Sequence, residues 1–152
     1  MQLTNSLLHA LLVADDQSYN NSPTEGAPLA EFTDGDNINL MSGGWKDDLT
    51  GWTVARRFDD PDTGFGAVVY KKPSGNGTKF DYIVALQGTR GPNAQDWHGN
   101  LTYGWEKFVG AQGQELMNYL TGSRPGDILS STSNIHFTGQ SLGGALSQYV
   151  AY

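Results

Sequence analysis

Residues 136–152 read HFTGQSLGGALSQYVAY. The run Ile135–Thr138 predicts a short strand. From Leu142 the apolar positions Leu142, Ala145, Leu146, Tyr149 and Val150 recur at i, i+3, i+4, i+7 and i+8, the period of an amphipathic helix. Between strand and helix lies Gly139-Gln140-Ser141-Leu142-Gly143. That spacing lets a tight strand-to-helix turn present a nucleophilic serine. The serine's backbone conformation crowds its neighbours, so glycine is needed on both sides, and Gly144 and Ala145 let the helix approach the sheet closely. The amides of the helix N-terminus then point at the reacting centre. The N–H of Leu142 is placed to donate to the oxyanion of a tetrahedral intermediate. The plain alternative is a glycine-rich turn with an inert serine. A strand before and a helix after favour the nucleophile.

A nucleophilic serine needs a base, and the base needs an orienting acid. Eleven residues follow Ser141, and none is His, Asp or Glu. The histidines are His9, on a predicted first helix and read as surface, His98 in a loop, and His136 on the strand before the turn. His136 is five residues from Ser141, too far along a strand rising about 3.3 Å per residue to reach the hydroxyl. All three read as structural or solvated. A parallel sheet that stops just after this helix leaves an apolar strand edge exposed, so residues 1–152 are expected to form the N-terminal part of one domain.

Upstream, Leu3, Leu7, Leu8, Leu11 and Leu12 predict a first helix, with Thr4 or Asn5 as its cap. Residues 20–51 are rich in Asn, Gly, Asp, Ser and Pro and read as an irregular connection. Strands are expected at Trp52–Phe58, Phe65–Lys71 and Phe80–Leu86, joined by the turns DDPDTG and PSGNGTK as antiparallel hairpins. The third ends in a continuous apolar run, as a strand buried on both faces does. A helix is expected over Trp105–Leu120. Strand, helix, strand, helix in the second half implies a parallel sheet with crossovers, and therefore an α/β fold.

The third strand runs out into Gln87-Gly88-Thr89. An oxyanion hole takes its second donor from another loop, and Thr89 offers both a backbone N–H and a hydroxyl. Alternatively, Gly88-Thr89 begins an ordinary turn with Thr89 as a helix cap.

Composition narrows the chemistry. The net charge of −7 at pH 7 opposes nucleic acid as a partner, because phosphate binding needs a basic surface. There is no cysteine, so thiol catalysis and cysteine-held metals are excluded in this chain. Asp34-Gly35-Asp36-Asn37 begins like a calcium loop, but Ile38 takes the next ligand position. Asp59, Asp60 and Asp62 read as a polar turn, and Asp47 and Asp48 as solvated. No spaced zinc pair, dinucleotide fingerprint or P-loop occurs, so no cofactor is implied. The N-terminus lacks the basic n-region of a signal peptide. No stretch is long and apolar enough for a transmembrane helix.

Two segments together carry a resemblance to a known family. IVALQGTRGPNAQDWHGNL (83–101) resembles the oxyanion-and-lid segment of the class 3, fungal-type triacylglycerol lipases, and FTGQSLGGALSQYVAY (137–152) resembles their nucleophile segment. The FGAVVY strand at 65–70 matches in order and spacing. The resemblance covers about residues 52–152 and implies an α/β-hydrolase fold and cleavage of lipid carboxylic esters without a cofactor. It implies Ser141 as nucleophile, Thr89 and Leu142 as oxyanion-hole residues, 90–103 as a lid centred on Trp97, and, from the family's order Ser, Asp, His, an acid and a base expected after Tyr152. Gln140 stands where that family has His, and Gln87 where it has Arg. The lid region is polar for a lipase, which weakens triglyceride specificity and leaves phospholipid or aryl and feruloyl esters as alternatives. An inactive hydrolase-like binding module, or a fragment completed by another chain, is the contrasting reading.

Overall fold

Three strands form an antiparallel meander: β1 (Thr53–Asp60), β2 (Phe65–Ser74) and β3 (Lys79–Leu86). The computed structural model describes residues 3–18, 24–29, 46–60, 65–75, 79–87, 111–122, 134–140, 143–144 and 147–148. Gly75, just after β2, has φ of +60°, a conformation that favours glycine in the turn toward β3. β3 then pairs in parallel with β4 (Asn134–Gly139), with Leu86 opposite Gly139. The strand order is β1-β2-β3-β4. A parallel pair cannot be closed by a hairpin and needs a crossover. Here the crossover contains a helix, α3 (Ala111–Thr121).

Helices pack on both faces of the sheet. On one face α3 supplies Leu116, Tyr119 and Leu120 to a core with Phe58, Ala67, Val69, Val84 and Leu86. On the other, α1 (Asn5–Ser18) supplies Ala10, Val13 and Ala14 to a core with Val54, Val68, Tyr70, Ile83 and Ala85. β2 and β3 therefore bury alternate residues in opposite directions. Ala67 to Tyr70 and Ile83 to Leu86 are all fully buried. Such a strand has no solvent face, which is why its sequence is continuously apolar rather than alternating. The mixed sheet between helices makes this an α/β fold. Arg56 adds a polar edge to the α3 layer. Its guanidinium meets Glu115 at 2.8 Å and lies 5.2 Å from the ring centres of both Phe58 and Tyr119.

Two sequence expectations shift. α1 is capped by Thr4, whose Oγ1 accepts the N–H of Leu7 at 3.2 Å, the N3 position of a capped helix. Its buried face, however, is not the leucine stripe. Ala10, Val13 and Ala14 are buried and Leu7 and Leu11 partly so, whereas Leu3, Leu8 and Leu12 are exposed. Small residues win the inner positions because they let the helix axis lie close on β2 and β3. The connection over 20–51 is also less irregular than its composition suggests. It contains α2 (Lys46–Leu49) and a bridge from Pro28 to Thr53, and Leu29 and Leu49 enter the α1 core. Residues 105–110 of the predicted third helix lie outside the described residues.

Leu116→Ala empties a fully buried site and is expected to cost about 2–5 kcal/mol in urea unfolding, whereas Leu12→Ala on the exposed stripe stays within about 0.5 kcal/mol. A cost for Leu12→Ala as large as that for Leu116→Ala would mean that the exposed face of α1 is wrongly placed.

Candidate active site

The ends of β3 and β4 meet at one edge of the sheet, and there the backbones touch. A Cβ added to Gly139 would lie 2.7 Å from the Leu86 carbonyl oxygen and 2.5 Å from the carbonyl of Gly143. A Cβ on Gly143 would overlap that same Leu86 oxygen and sit 2.8 Å from its carbon. One on Gly144 would lie 2.9 Å from the Gly139 oxygen. No side chain fits at any of these positions, so three glycines bring the chain after β4 directly against the end of β3. The turn is closed by the Gly143 N–H, which donates to the Gln140 carbonyl at 3.0 Å. The backbone at 143–144 and 147–148 is helical. Buried Ser147 ties this segment back to the strand: its hydroxyl lies 2.9 Å from the Thr138 carbonyl and 2.8 Å from that of Gly143.

Ser141, Leu142 and Thr89 themselves lie outside the described residues, as do Gly88 and the whole 90–103 segment. Their described neighbours are brought together. Gln140 and Gly143 flank Ser141 and Leu142. Gln87, two residues before Thr89, extends β3 past Leu86, which pairs with Gly139. The Asp34–Asn37 stretch and His98 are likewise outside the described residues.

Gln87 has a role its sequence position does not disclose. It is 4% exposed. Its N–H donates to the Gly66 carbonyl at 2.9 Å, and its side-chain Nε2 donates to the Ser18 carbonyl at the end of α1. The side chain crosses directly over Gly66, where a Cβ would overlap Oε1 and lie 2.7 Å from Cδ.

The described histidines occupy the opposite end of the sheet. A cavity of about 300 Å³ opens there, lined among others by Thr4, Ser6, Asp48, Lys72, Asp81 and His136. His9, expected at the surface, is half-buried with its Nδ1 2.6 Å from Asp48. Asp48, expected to be solvated, also accepts the Ser6 hydroxyl at 2.6 Å. The hydrogen bonds from Ser6 and His9 hold its carboxyl below the usual carboxylate range. Ser, His and Asp therefore come together here, but not as a catalytic triad. The hydroxyl and the imidazole both bond the carboxylate, and no imidazole nitrogen is bonded to the hydroxyl. This cluster pins α1 to α2. His136 is shifted below its ordinary value by burial, opposed by nearby Asp81, whose Oδ1 accepts the Asn134 amide at 2.6 Å. Its register partner is Ile83, three positions from the Leu86–Gly139 pair, or about 10 Å along the strand.

Among the described residues no group of His, Asp or Glu is placed to hold a metal, and no helix is long and apolar enough to cross a membrane. Residues 13–152 match a family described as phospholipase-like, the Tle-like phospholipase domain. The chain belongs to that family. Membership makes this phospholipase-like domain a lipid-hydrolysing enzyme in broad terms. It supports a lipase- or phospholipase-type family, and not the assignment to the class 3 lipases that the motifs resemble. No curated protein and no solved structure matches the chain.

Two tests follow from the geometry of this phospholipase-like domain. Gly143→Ala forces a methyl group into the Leu86 carbonyl, and backbone cannot yield as a side chain does. A loss of about 1–3 kcal/mol or more is expected in urea unfolding, against about 0.5 kcal/mol or less for exposed Gln148→Ala. For His136, the folded state favours the neutral ring, so the unfolded chain binds the proton more readily. Stability from this group is full above about pH 6.5 and falls as the pH drops through the lower folded value. His136→Gln should lessen the loss of stability between about pH 7.5 and pH 5, and an unchanged slope would refute the assignment.

Proposed function

We propose that this domain is a serine hydrolase of lipid carboxylic esters, with Ser141 as nucleophile and an α/β-hydrolase architecture. The observation that carries the proposal is the contact of Gly139 and Gly143 with the Leu86 carbonyl. It sets the Gln140–Gly143 turn beside the strand end that leads into Gly88-Thr89. The described residues that flank the two motifs, Gln87 and Gln140, thus lie at one end of the sheet, where ligands of parallel α/β sheets bind beyond the strand ends. Membership of a phospholipase-like family fits that chemistry.

In the proposed reaction, Ser141 Oγ attacks the ester carbonyl carbon and passes its proton to a histidine base. The N–H groups of Leu142 and Thr89 receive the oxyanion of the tetrahedral intermediate. Collapse expels the alcohol, which takes up the proton, and leaves an acyl-serine. Water, activated by the same base, then releases the fatty acid and regenerates the hydroxyl. His9 and His136 do not suit the role of base, since both lie toward the opposite end of the sheet from Gln140 and Gly143. The base and its acid are proposed to be groups other than these two histidines. A phospholipid is the preferred substrate over triacylglycerol, given the family match and the polar character of residues 90–103. The site would then work at a lipid–water interface.

The decisive experiment is fluorophosphonate labelling of the full-length protein. Wild type should form one adduct on Ser141, found by peptide mass spectrometry, and Ser141→Ala should form none and lose roughly 10⁴-fold or more in ester hydrolysis. Activity retained by Ser141→Ala would end the proposal. Phospholipid vesicles against triglyceride emulsions decide the substrate class.

A further inference from the structure

Gln87 is the last described residue of the chain that leaves β3 for Gly88-Thr89, and it is held twice. Its N–H is bonded to β2 through the Gly66 carbonyl, and its side-chain amide is bonded to α1 through the Ser18 carbonyl. That carbonyl belongs to the last turn of α1, where no intrahelical donor is available. The negative end of the helix dipole points the same way, so the position calls for a neutral or positive donor and rejects a carboxylate. An amide on a two-carbon stem meets the need. It can lie across the sheet because residue 66 is glycine, and any Cβ there would overlap the amide. Three elements, α1, β2 and β3, thus meet in one side chain.

Oε1 is buried and has no partner among the described residues. Leaving such an atom unpaired costs free energy, so this glutamine is not there for stability alone. A residue that only filled space at the end of β3 would be better apolar. What the clasp does secure is direction. Thr89 lies two residues on, at most about 7 Å from Gln87 in Cα distance, so the anchoring of Gln87 bears on where the loop to Thr89 starts.

We propose that Gln87 is a positioning residue for the oxyanion arm, holding the departure angle of Gly88-Thr89 by clasping the end of α1 across Gly66. This rests on the reading of Ser141 as nucleophile and Thr89 as an oxyanion donor. Among the described residues, the Gln87 side chain bonds the Ser18 carbonyl. It acts through the loop, by keeping a donor where charge develops in the transition state.

The test uses the full-length protein and counts competent sites by fluorophosphonate titration, so that kcat is expressed per titrated serine. Gln87→Met keeps length and burial but removes the donor. It should lower kcat per site about 10- to 100-fold while KM for a soluble short-chain ester changes less than about threefold, the pattern of an interaction felt in the transition state. Gly66→Ala leaves the amide's chemistry intact but displaces it, and should give the same split. Combining Gly66→Ala with Gln87→Ala should be no worse than Gln87→Ala alone, because the clash disappears with the side chain. A merely structural role would lower the melting temperature and the number of titratable sites but leave kcat per site within about twofold, and that result overturns the proposal. If Gln87→Met gives no cooperative melt, Gly66→Ala is read by the same ratio. Wild type that takes up no label on Ser141 would instead refute the nucleophile reading itself. Wild type labelled on Ser141, with unchanged kcat per site in the variants, would leave the nucleophile standing and remove only Gln87.

Discussion

The structure hinges on the approach of one backbone to another. The Leu86 carbonyl, at the end of β3, sits where the Cβ atoms of residues 139 and 143 would be. This works only because both are glycine. Excluded volume sets the rule more sharply than attraction does, since a methyl group at either position would have to displace main chain. The parallel pairing of β3 and β4 brings the two strand ends level, and the glycines convert that alignment into contact. Ser147 then fastens the helical segment to the Thr138 carbonyl, so the turn is held at both ends.

At the end where β3 and β4 finish, the described contacts run through the Leu86 carbonyl, Gln87 and the Ser18 carbonyl. At the other, ionisable groups gather around a cavity: Asp48, Lys72, Asp81 and His136. Asp48 holds Ser6 and His9 and so fixes the start of α1, while Gln87 receives its end. α1 is therefore tied at both termini, with Ala10, Val13 and Ala14 pressed on the sheet between. Displacing the helix along its axis would break one tie or the other.

That arrangement gives lipid-ester chemistry a physical basis. An acyl-transfer site needs a nucleophile and oxyanion donors held in fixed relation without reorganisation during the reaction. In the site proposed above, the ends of two adjacent parallel strands would supply that relation, because the sheet hydrogen bonds fix their separation and the glycine contact with the Leu86 carbonyl holds them close. A phospholipase-like family membership says what is cleaved in broad terms. The ends of β3 and β4 are where we propose that the chemistry is placed.

Much of this was legible along the chain. Continuous apolar runs announced strands buried on both faces, the hairpin turns announced antiparallel pairing, and the strand–glycine–serine–helix pattern announced the parallel partner. These are local signals, and periodicity and steric demand act over a few residues. The cap at Thr4 and the glycines of the turn belong with them. Other features were not legible. Nothing local distinguishes Leu7 from Leu8 as the inner residue of α1, since the choice depends on how closely the axis lies to β2 and β3. His9 and Asp48 looked solvated because their partners are 39 residues apart in sequence. Gln87 looked like a departure from a motif, and Gly66 like any glycine in a strand. Only the fold, by passing one side chain over the other residue to a carbonyl 69 residues away, gave both a purpose. Short-range order is written in neighbouring residues, whereas contacts between distant segments exist only once the sheet has set their separation.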